Sequence, residues 1–181
     1  MRRTFLSPAT GALIFVALAA CSPTFNWREI KLGDEGMVAM LPCKPDRATR
    51  EVGLAGGTAS LSMVGCEAGG AMFTVARVQA PDEATGTAWL DAWKKTITAR
   101  AAPGASPVEQ AAVVARAAAA PAARRLEIQQ AGADGSTVAL QTLWFTQRSS
   151  GQTLTLYQAS VLGRPGDAEA VAAFFAGLRL P

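Results

Sequence analysis

The chain contains no histidine among its 181 residues. Histidine is the side chain that most often activates a serine or cysteine nucleophile, and it is the commonest metal ligand. Its absence therefore excludes Ser-His and Cys-His nucleophile pairs and every metal site built on histidine. Many common hydrolase mechanisms are excluded with them.

Cysteine is also scarce, with three residues at Cys21, Cys43 and Cys66. If Cys21 is used elsewhere, the remaining two cannot form a structural zinc site of the usual four-ligand kind. They also lack the close Cys-x-x-Cys spacing of disulfide oxidoreductases, so a redox pair is the weaker interpretation. We expect no metal and no cofactor.

The chain carries little excess charge of either sign. The formal net charge is +3, but without Arg2 and Arg3 the 17 basic residues fall to 15 against 14 acidic ones, a net of +1. Nucleic-acid binding requires a patch or stripe of Lys and Arg. We interpret the doublet Arg124-Arg125 as a solvated strand end and expect no nucleic-acid partner.

The N-terminal segment has the three regions of a secretory signal peptide. Arg2 and Arg3 supply positive charge, residues 11–20 are apolar, and Ala19 and Ala20 are the small residues before Cys21. The apolar run is shorter than the roughly 20 residues of a membrane-spanning helix. An anchor that stays uncleaved is the alternative.

Leu18-Ala19-Ala20-Cys21 resembles the lipobox of bacterial lipoproteins. The resemblance implies that residues 1–20 are removed and that Cys21 is acylated on its sulfur and on its new amino group. Two or more acyl chains anchor a protein stably. In that family, Asp directly after the acylated cysteine retains the protein at the inner membrane. Ser22 at this position therefore favours the outer membrane. We therefore expect a protein of the bacterial cell envelope that faces the periplasm.

Removal of 20 of the 181 residues leaves 161, which fits one domain at 26–181 after a tether at 21–25. Alternating and apolar runs between turn residues predict strands. They cover residues 26–32, 37–41, 47–54, 58–66, 72–78, 126–128, 137–145 and 152–162. The Ala- and Pro-rich segment 101–123 is expected to be a long loop with a weak strand around 108–114.

Two helices are predicted. In the first, Thr85 or Thr87 is the expected N-cap, and Trp89 and Trp93 fall on one side together with Leu90 and Ile97. The two tryptophans either pack against a sheet or offer a face to a ligand or partner. The second helix has Asp167 as its N-cap and ends near Gly177.

Cys43 and Cys66 are expected to form a disulfide. Pairing residues 47–54 with 58–66 across a tight turn places Cys66 opposite about residue 46, a few residues from Cys43. An oxidising compartment favours the bond. Two free, partly buried thiols are the alternative.

The chain resembles the PsbP-like proteins in four features. These are the order of elements, the segment Leu41-Pro42-Cys43-Lys44-Pro45, Tyr157 in a late strand, and the closing Phe174-Phe175-Ala176-Gly177-Leu178-Arg179-Leu180. The resemblance implies an α+β fold in which an antiparallel sheet of about six to seven strands is covered by two main helices. Cys43 stands where that pattern commonly has glycine, and no functional residue is carried over. The chain also resembles lipoproteins of Gram-negative bacteria that begin Cys-Ser-Pro-Thr-Phe-Asn-Trp and have no assigned activity.

Three functions follow as hypotheses. The first is a non-catalytic, lipid-anchored module that binds or assembles with another envelope protein, which is the usual role of the PsbP-like group. The second is a carrier of a small ligand or lipid in a groove beside the helix with Trp89 and Trp93. The third and weakest is an enzyme, because the acidic residues fall at predicted turns and helix starts, where backbone amides explain them.

Overall fold

The computed structural model describes residues 24–34, 36–132, 134–149 and 152–181. In this part of the chain there are nine strands and two helices. The strands are β1 (Arg28–Leu32), β2 (Met37–Leu41), β3 (Asp46–Leu54), β4 (Gly57–Ala68), β5 (Ala71–Ala80), β6 (Val108–Ala111), β7 (Arg124–Ala131), β8 (Thr137–Arg148) and β9 (Leu154–Gly163). The helices are α1 (Glu83–Thr98) and α2 (Ala168–Ala176).

Seven of these strands form one sheet in the order β3-β4-β5-β9-β8-β7-β6. Every neighbouring pair is antiparallel. The expected α+β architecture with an antiparallel sheet is thereby confirmed. β1 and β2 pair only with each other among the described strands and form a separate hairpin.

Two tight turns fix the register of the first sheet strands. Ala55 and Gly56 join β3 to β4 with φ values of 44° and 81°, and Gly69 and Gly70 join β4 to β5 with φ values of 60° and 83°. Two consecutive residues with positive φ produce the turn whose twist matches that of the paired strands. Both connections therefore favour tight antiparallel hairpins.

The sheet is covered on opposite faces at opposite ends. In β5, Phe73 and Val75 face one buried cluster, whereas Val78 and Ala80 face the other. Successive side chains of a strand point to opposite faces of the sheet. The change from odd-numbered to even-numbered buried residues along β5 therefore shows that a different face is covered at each end of the strand. α1 covers one face, while α2 and the β1-β2 hairpin cover the other.

α1 begins earlier than the sequence predicts. Its N-cap is Asp82, whose carboxylate accepts hydrogen bonds from the backbone N–H of Thr85 at 2.7 Å and from its hydroxyl at 2.8 Å. The prediction of Thr85 or Thr87 as the cap is wrong, because Asp82 has the extended backbone that a cap requires and Thr85 already lies in the first turn. The hydrogen bond from the Thr85 backbone lowers the pKa of Asp82 below its usual 3.8.

Gly86 allows α1 to lie close to the sheet. A Cβ atom at this position would be 2.8 Å from Leu154 Cδ2, 3.0 Å from Leu154 Cβ and 3.3 Å from Ala80 Cβ. Leu154 and Ala80 are fully buried. The small residue is therefore needed where the first turns of the helix cross β5 and β9.

α2 begins as the sequence predicts. Asp167 is its N-cap and accepts a hydrogen bond from the backbone N–H of Glu169 at 2.8 Å. On the buried side, the ring of Phe174 contacts Phe73 of β5 edge-on, with 5.4 Å between the ring centroids. After the helix, Arg179 exchanges two backbone hydrogen bonds with Val38 of β2.

Cys43 and Cys66 form a disulfide, which confirms the predicted pairing. The bond joins the connection before β3 to the buried side of β4. The register differs from the expected one by a single residue, because Asp46 lies opposite Gly65 rather than Cys66. Despite this shift, the hairpin still places Cys66 close to Cys43, as predicted.

The segment 101–123 contributes one short strand. β6 pairs with β7 at the edge of the sheet, so the weak strand expected around 108–114 is confirmed for four residues. Beyond it, backbone hydrogen bonds join Ala112 N to Ala123 O at 3.1 Å and Ala118 N to Thr146 O at 2.7 Å. The Ala-rich segment is thus held against β8 without forming a further strand in the described residues.

Candidate functional site

A groove of about 230 Å³ lies between the second half of α1 and the sheet. Trp93 and Ile97 form its helical wall. Its floor consists of apolar side chains from β3, β4 and β5, namely Val52, Leu54, Leu61, Met63 and Ala76. Apolar walls with a few polar groups are typical of sites for small ligands.

The floor is a consequence of strand periodicity. Val52 and Leu54 alternate with outward residues along β3, and Leu61 and Met63 do the same along β4. The pairing of Val52 with Ala59 and of Arg50 with Leu61 places these side chains on the α1 face of the sheet. β3 is an edge strand, so one side of the groove is open to solvent.

A network of three buried polar side chains reaches the inner side of the groove through one of its members. Gln158 of β9 lines it, and its amide nitrogen donates to the hydroxyl of Thr142 at 3.1 Å. Thr142 also bonds to Ser160, with 2.9 Å between the two hydroxyl oxygens. The three residues are at most 8 % exposed. A connected network of this kind fixes side-chain positions in an otherwise apolar region.

Two arginines stand at the rim. Arg50 comes from β3 and Arg100 follows the end of α1. Both are exposed, and among the described residues neither guanidinium has a hydrogen bond or ion pair. The groove therefore combines an apolar floor with two cationic groups that remain available to a ligand.

A shallower depression of about 350 Å³ continues from this groove on the same face, and Met63 lines both. Met72, which is 38 % exposed, also lines it, together with Ala48 and Cys66. Acidic side chains of Asp46 and Glu67 lie at its border. Methionine side chains adapt readily to the shape of an apolar ligand.

The two tryptophans named from the sequence occupy different environments. Both are buried, at 7 % and 9 % exposure, and both belong to the cluster between α1 and the sheet. Trp89 lies over Gly57 at the start of β4, whereas Trp93 lines the groove. The structure therefore brings one of the two, Trp93, to the candidate site.

A second groove, of about 500 Å³, lies beside α2 on the opposite face. Arg125, one of the two arginines that line it, donates to Gln141, lies 3.6 Å from the carboxylate of Glu127 and has its guanidinium carbon 4.5 Å from the ring centre of Phe175. Arg124 of the same doublet lies 3.8 Å from Glu109. The other arginine that lines this groove, Arg164, has no ion pair among the described residues, so the groove offers one unpaired cation where the α1 groove offers two. We therefore regard the α1 groove as the better candidate.

Two acidic residues at the predicted helix starts have structural roles. Asp82 and Asp167 cap the two helices. Glu35 lies outside the described residues. Within residues 24–34, 36–132, 134–149 and 152–181 there is no group of three or more Cys, Asp or Glu side chains that could hold a metal ion.

The expected lipidation site, Cys21, lies outside the described residues, as do the signal peptide at 1–20 and most of the tether at 21–25. In the described part of the chain, none of the helices is both long and apolar enough to span a membrane.

Arg50, Arg100 and Gln158 were not singled out from the sequence. The alternation Arg50, Val52, Leu54 would have placed Arg50 on the same strand face as two apolar residues. Nothing local indicates that Arg100 and Gln158 converge on that face, because their meeting depends on how α1 crosses the sheet.

No protein-family model matches the chain, and none of the curated proteins matches it.

Proposed function

We propose that the protein is a lipid-anchored component of the bacterial cell envelope with a non-catalytic role in binding or assembly. The observation that carries the proposal is Leu18-Ala19-Ala20-Cys21, preceded by Arg2, Arg3 and a short apolar run. In this proposal Cys21 holds the acyl chains and Ser22 directs the protein to the outer membrane. The folded part faces the periplasm.

The fold supports this role as a PsbP-like module. An antiparallel sheet with helices on opposite faces agrees with the architecture that the resemblance implies. The Cys43–Cys66 disulfide agrees with an oxidising compartment. The partner in this proposal is the membrane, through Cys21, together with another envelope protein.

The proposal is tested by fractionating cells that express the full chain and a Cys21→Ser variant. The wild-type protein is expected in the outer membrane fraction and the variant outside it. Pull-down of the detergent-solubilised protein from envelope extracts is expected to recover a saturable partner. Repeated recovery of no partner, or equal distribution of both forms, would count against the proposal.

A small-ligand carrier is the second candidate, and the α1 groove favours it. The combination of Trp93, an apolar floor and unpaired arginines is suited to a ligand rather than to interior packing alone. Saturable quenching or shifting of tryptophan fluorescence by apolar ligands would support the carrier. A flat titration across lipid and peptidoglycan fragments would argue for the assembly role without a ligand.

A further inference from the structure

We infer that the α1 groove binds a small anionic amphiphile, a carboxylate carried on an unbranched apolar chain, with its head at Arg50 and Arg100 and its tail across Met63. This inference rests on the carrier function proposed above and names the class of ligand. It is carried by the separation of charges and apolar surface along one face of the sheet.

The charge at the rim selects an anion. Arg50 and Arg100 approach the groove from two different elements, a strand and the end of a helix, and neither has an ion pair in the described residues. A carboxylate placed between them gains hydrogen bonds to charged donors. A cationic ligand would instead face two like charges.

The acidic residues determine which way the ligand lies. Asp46 and Glu67 border the far depression, beyond Met63, and outnumber its one basic lining residue, Arg47, whose guanidinium donates to the backbone oxygen of Lys31. An anionic head at that end would be repelled, whereas at the arginine end it is attracted. The head therefore stays near α1, and the uncharged tail runs toward Met72.

The dimensions favour a chain rather than a large rigid ring system. The groove of about 230 Å³ is smaller than most drug-sized ligand sites, which have volumes of about 300–1,000 Å³. The adjoining depression adds about 350 Å³ further along the same three strands, β3, β4 and β5. A flexible chain fits both by extending over Met63, and the exposed side chain of Met72 lies where the tail would end.

Isothermal titration calorimetry of the detergent-free Cys21→Ser full chain with decanoate and decanol tests the inference. Decanoate is expected to bind saturably and roughly tenfold more tightly than decanol, and the Arg50→Gln/Arg100→Gln variant is expected to lose that tenfold preference. Hexanoate should bind more weakly than decanoate, by up to roughly fourfold for each methylene that is buried. Arg28→Gln/Arg116→Gln removes the same charge from exposed residues outside the groove and should leave the affinity unchanged.

Equal affinity for decanoate and decanol, or an equal loss in both double variants, would overturn the anionic inference while leaving a neutral-ligand carrier in place. Absence of saturable binding by both compounds would overturn the inference and the carrier function together. Neither result bears on membrane anchoring through Cys21, which is measured separately by fractionation. Thermal unfolding of each variant verifies that it is folded.

Discussion

Gly86→Ala is a substitution for which two known effects have opposite signs. In an exposed helix interior, alanine is more favourable than glycine by about 1 kcal/mol. Gly86, however, is buried where α1 crosses the sheet, and its added methyl group would lie 2.8–3.0 Å from Leu154. The structure therefore predicts that the usual stabilisation is reversed.

The loss of stability in Gly86→Ala depends on how easily the atoms next to the added methyl group can move. One of the close atoms is Cβ of Leu154, which is fixed to the backbone of β9, and Leu154 is fully buried. Overpacking of a well-packed core costs about 1–3 kcal/mol, and the complete burial of Leu154 and Ala80, which leaves their side chains little room to move, places this site in the upper part of that range. After the gain in helix propensity, a net loss of about 1–2 kcal/mol remains, or a fall in Tm of about 2–8 °C.

Urea unfolding followed by circular dichroism measures this change. Thr87→Ala is the matched control, because Thr87 is the next residue of the same helix, is exposed and gains helix propensity without a steric conflict. The control is expected to be neutral or stabilising by a few tenths of a kcal/mol. Stabilisation by Gly86→Ala would refute the close packing of α1 on β5 and β9.

Three other perturbations have expected outcomes. The disulfide joins residues 23 positions apart, and its reduction should lower the free energy of unfolding of the wild-type protein by about 3 kcal/mol. The comparison is between the oxidised and the reduced protein. A loss below about 1 kcal/mol would show that the bond does not constrain the unfolded chain. Asp167→Ala should cost about 1 kcal/mol by removing the α2 cap, and Asp167→Asn should restore most of it. The pKa of Asp82 is lowered from 3.8, so its carboxylate stabilises the fold above pH 3.8 and this stabilisation is lost as the pH falls through the pKa of the folded state. Tm measured from about pH 6 to pH 2 should therefore fall more steeply in wild type than in Asp82→Asn. The same fall in Tm for both proteins would contradict the role of Asp82 as the cap.

Local patterns predict much of this fold because most elements are bounded by strong turn residues. The glycine turns before β4 and β5 place the strands, and the register follows to within one residue at Cys66. The N-cap Asp167 is likewise determined by its immediate neighbours. Such features require no knowledge of the rest of the chain.

Other features depend on contacts between distant segments. Trp89 and Trp93 have the same helical periodicity, and only the crossing of α1 over the sheet decides that Trp93 reaches the groove. The predicted start of α1 is too late because three possible caps, Asp82, Thr85 and Thr87, lie within six residues, and Asp82 has the geometry to accept the hydrogen bonds. The separation of the β1-β2 hairpin from the main sheet is also a matter of tertiary packing against α2.

Membrane anchoring through Cys21 is tested most directly by mass spectrometry of the mature N-terminal peptide. The protein is extracted from membranes with detergent and digested, and the N-terminal peptide is sequenced. We predict a peptide that begins at Cys21 and carries acyl chains on both the sulfur and the amino group. A peptide that retains residues 1–20, or one that begins at an unmodified Cys21, would contradict the proposed anchoring.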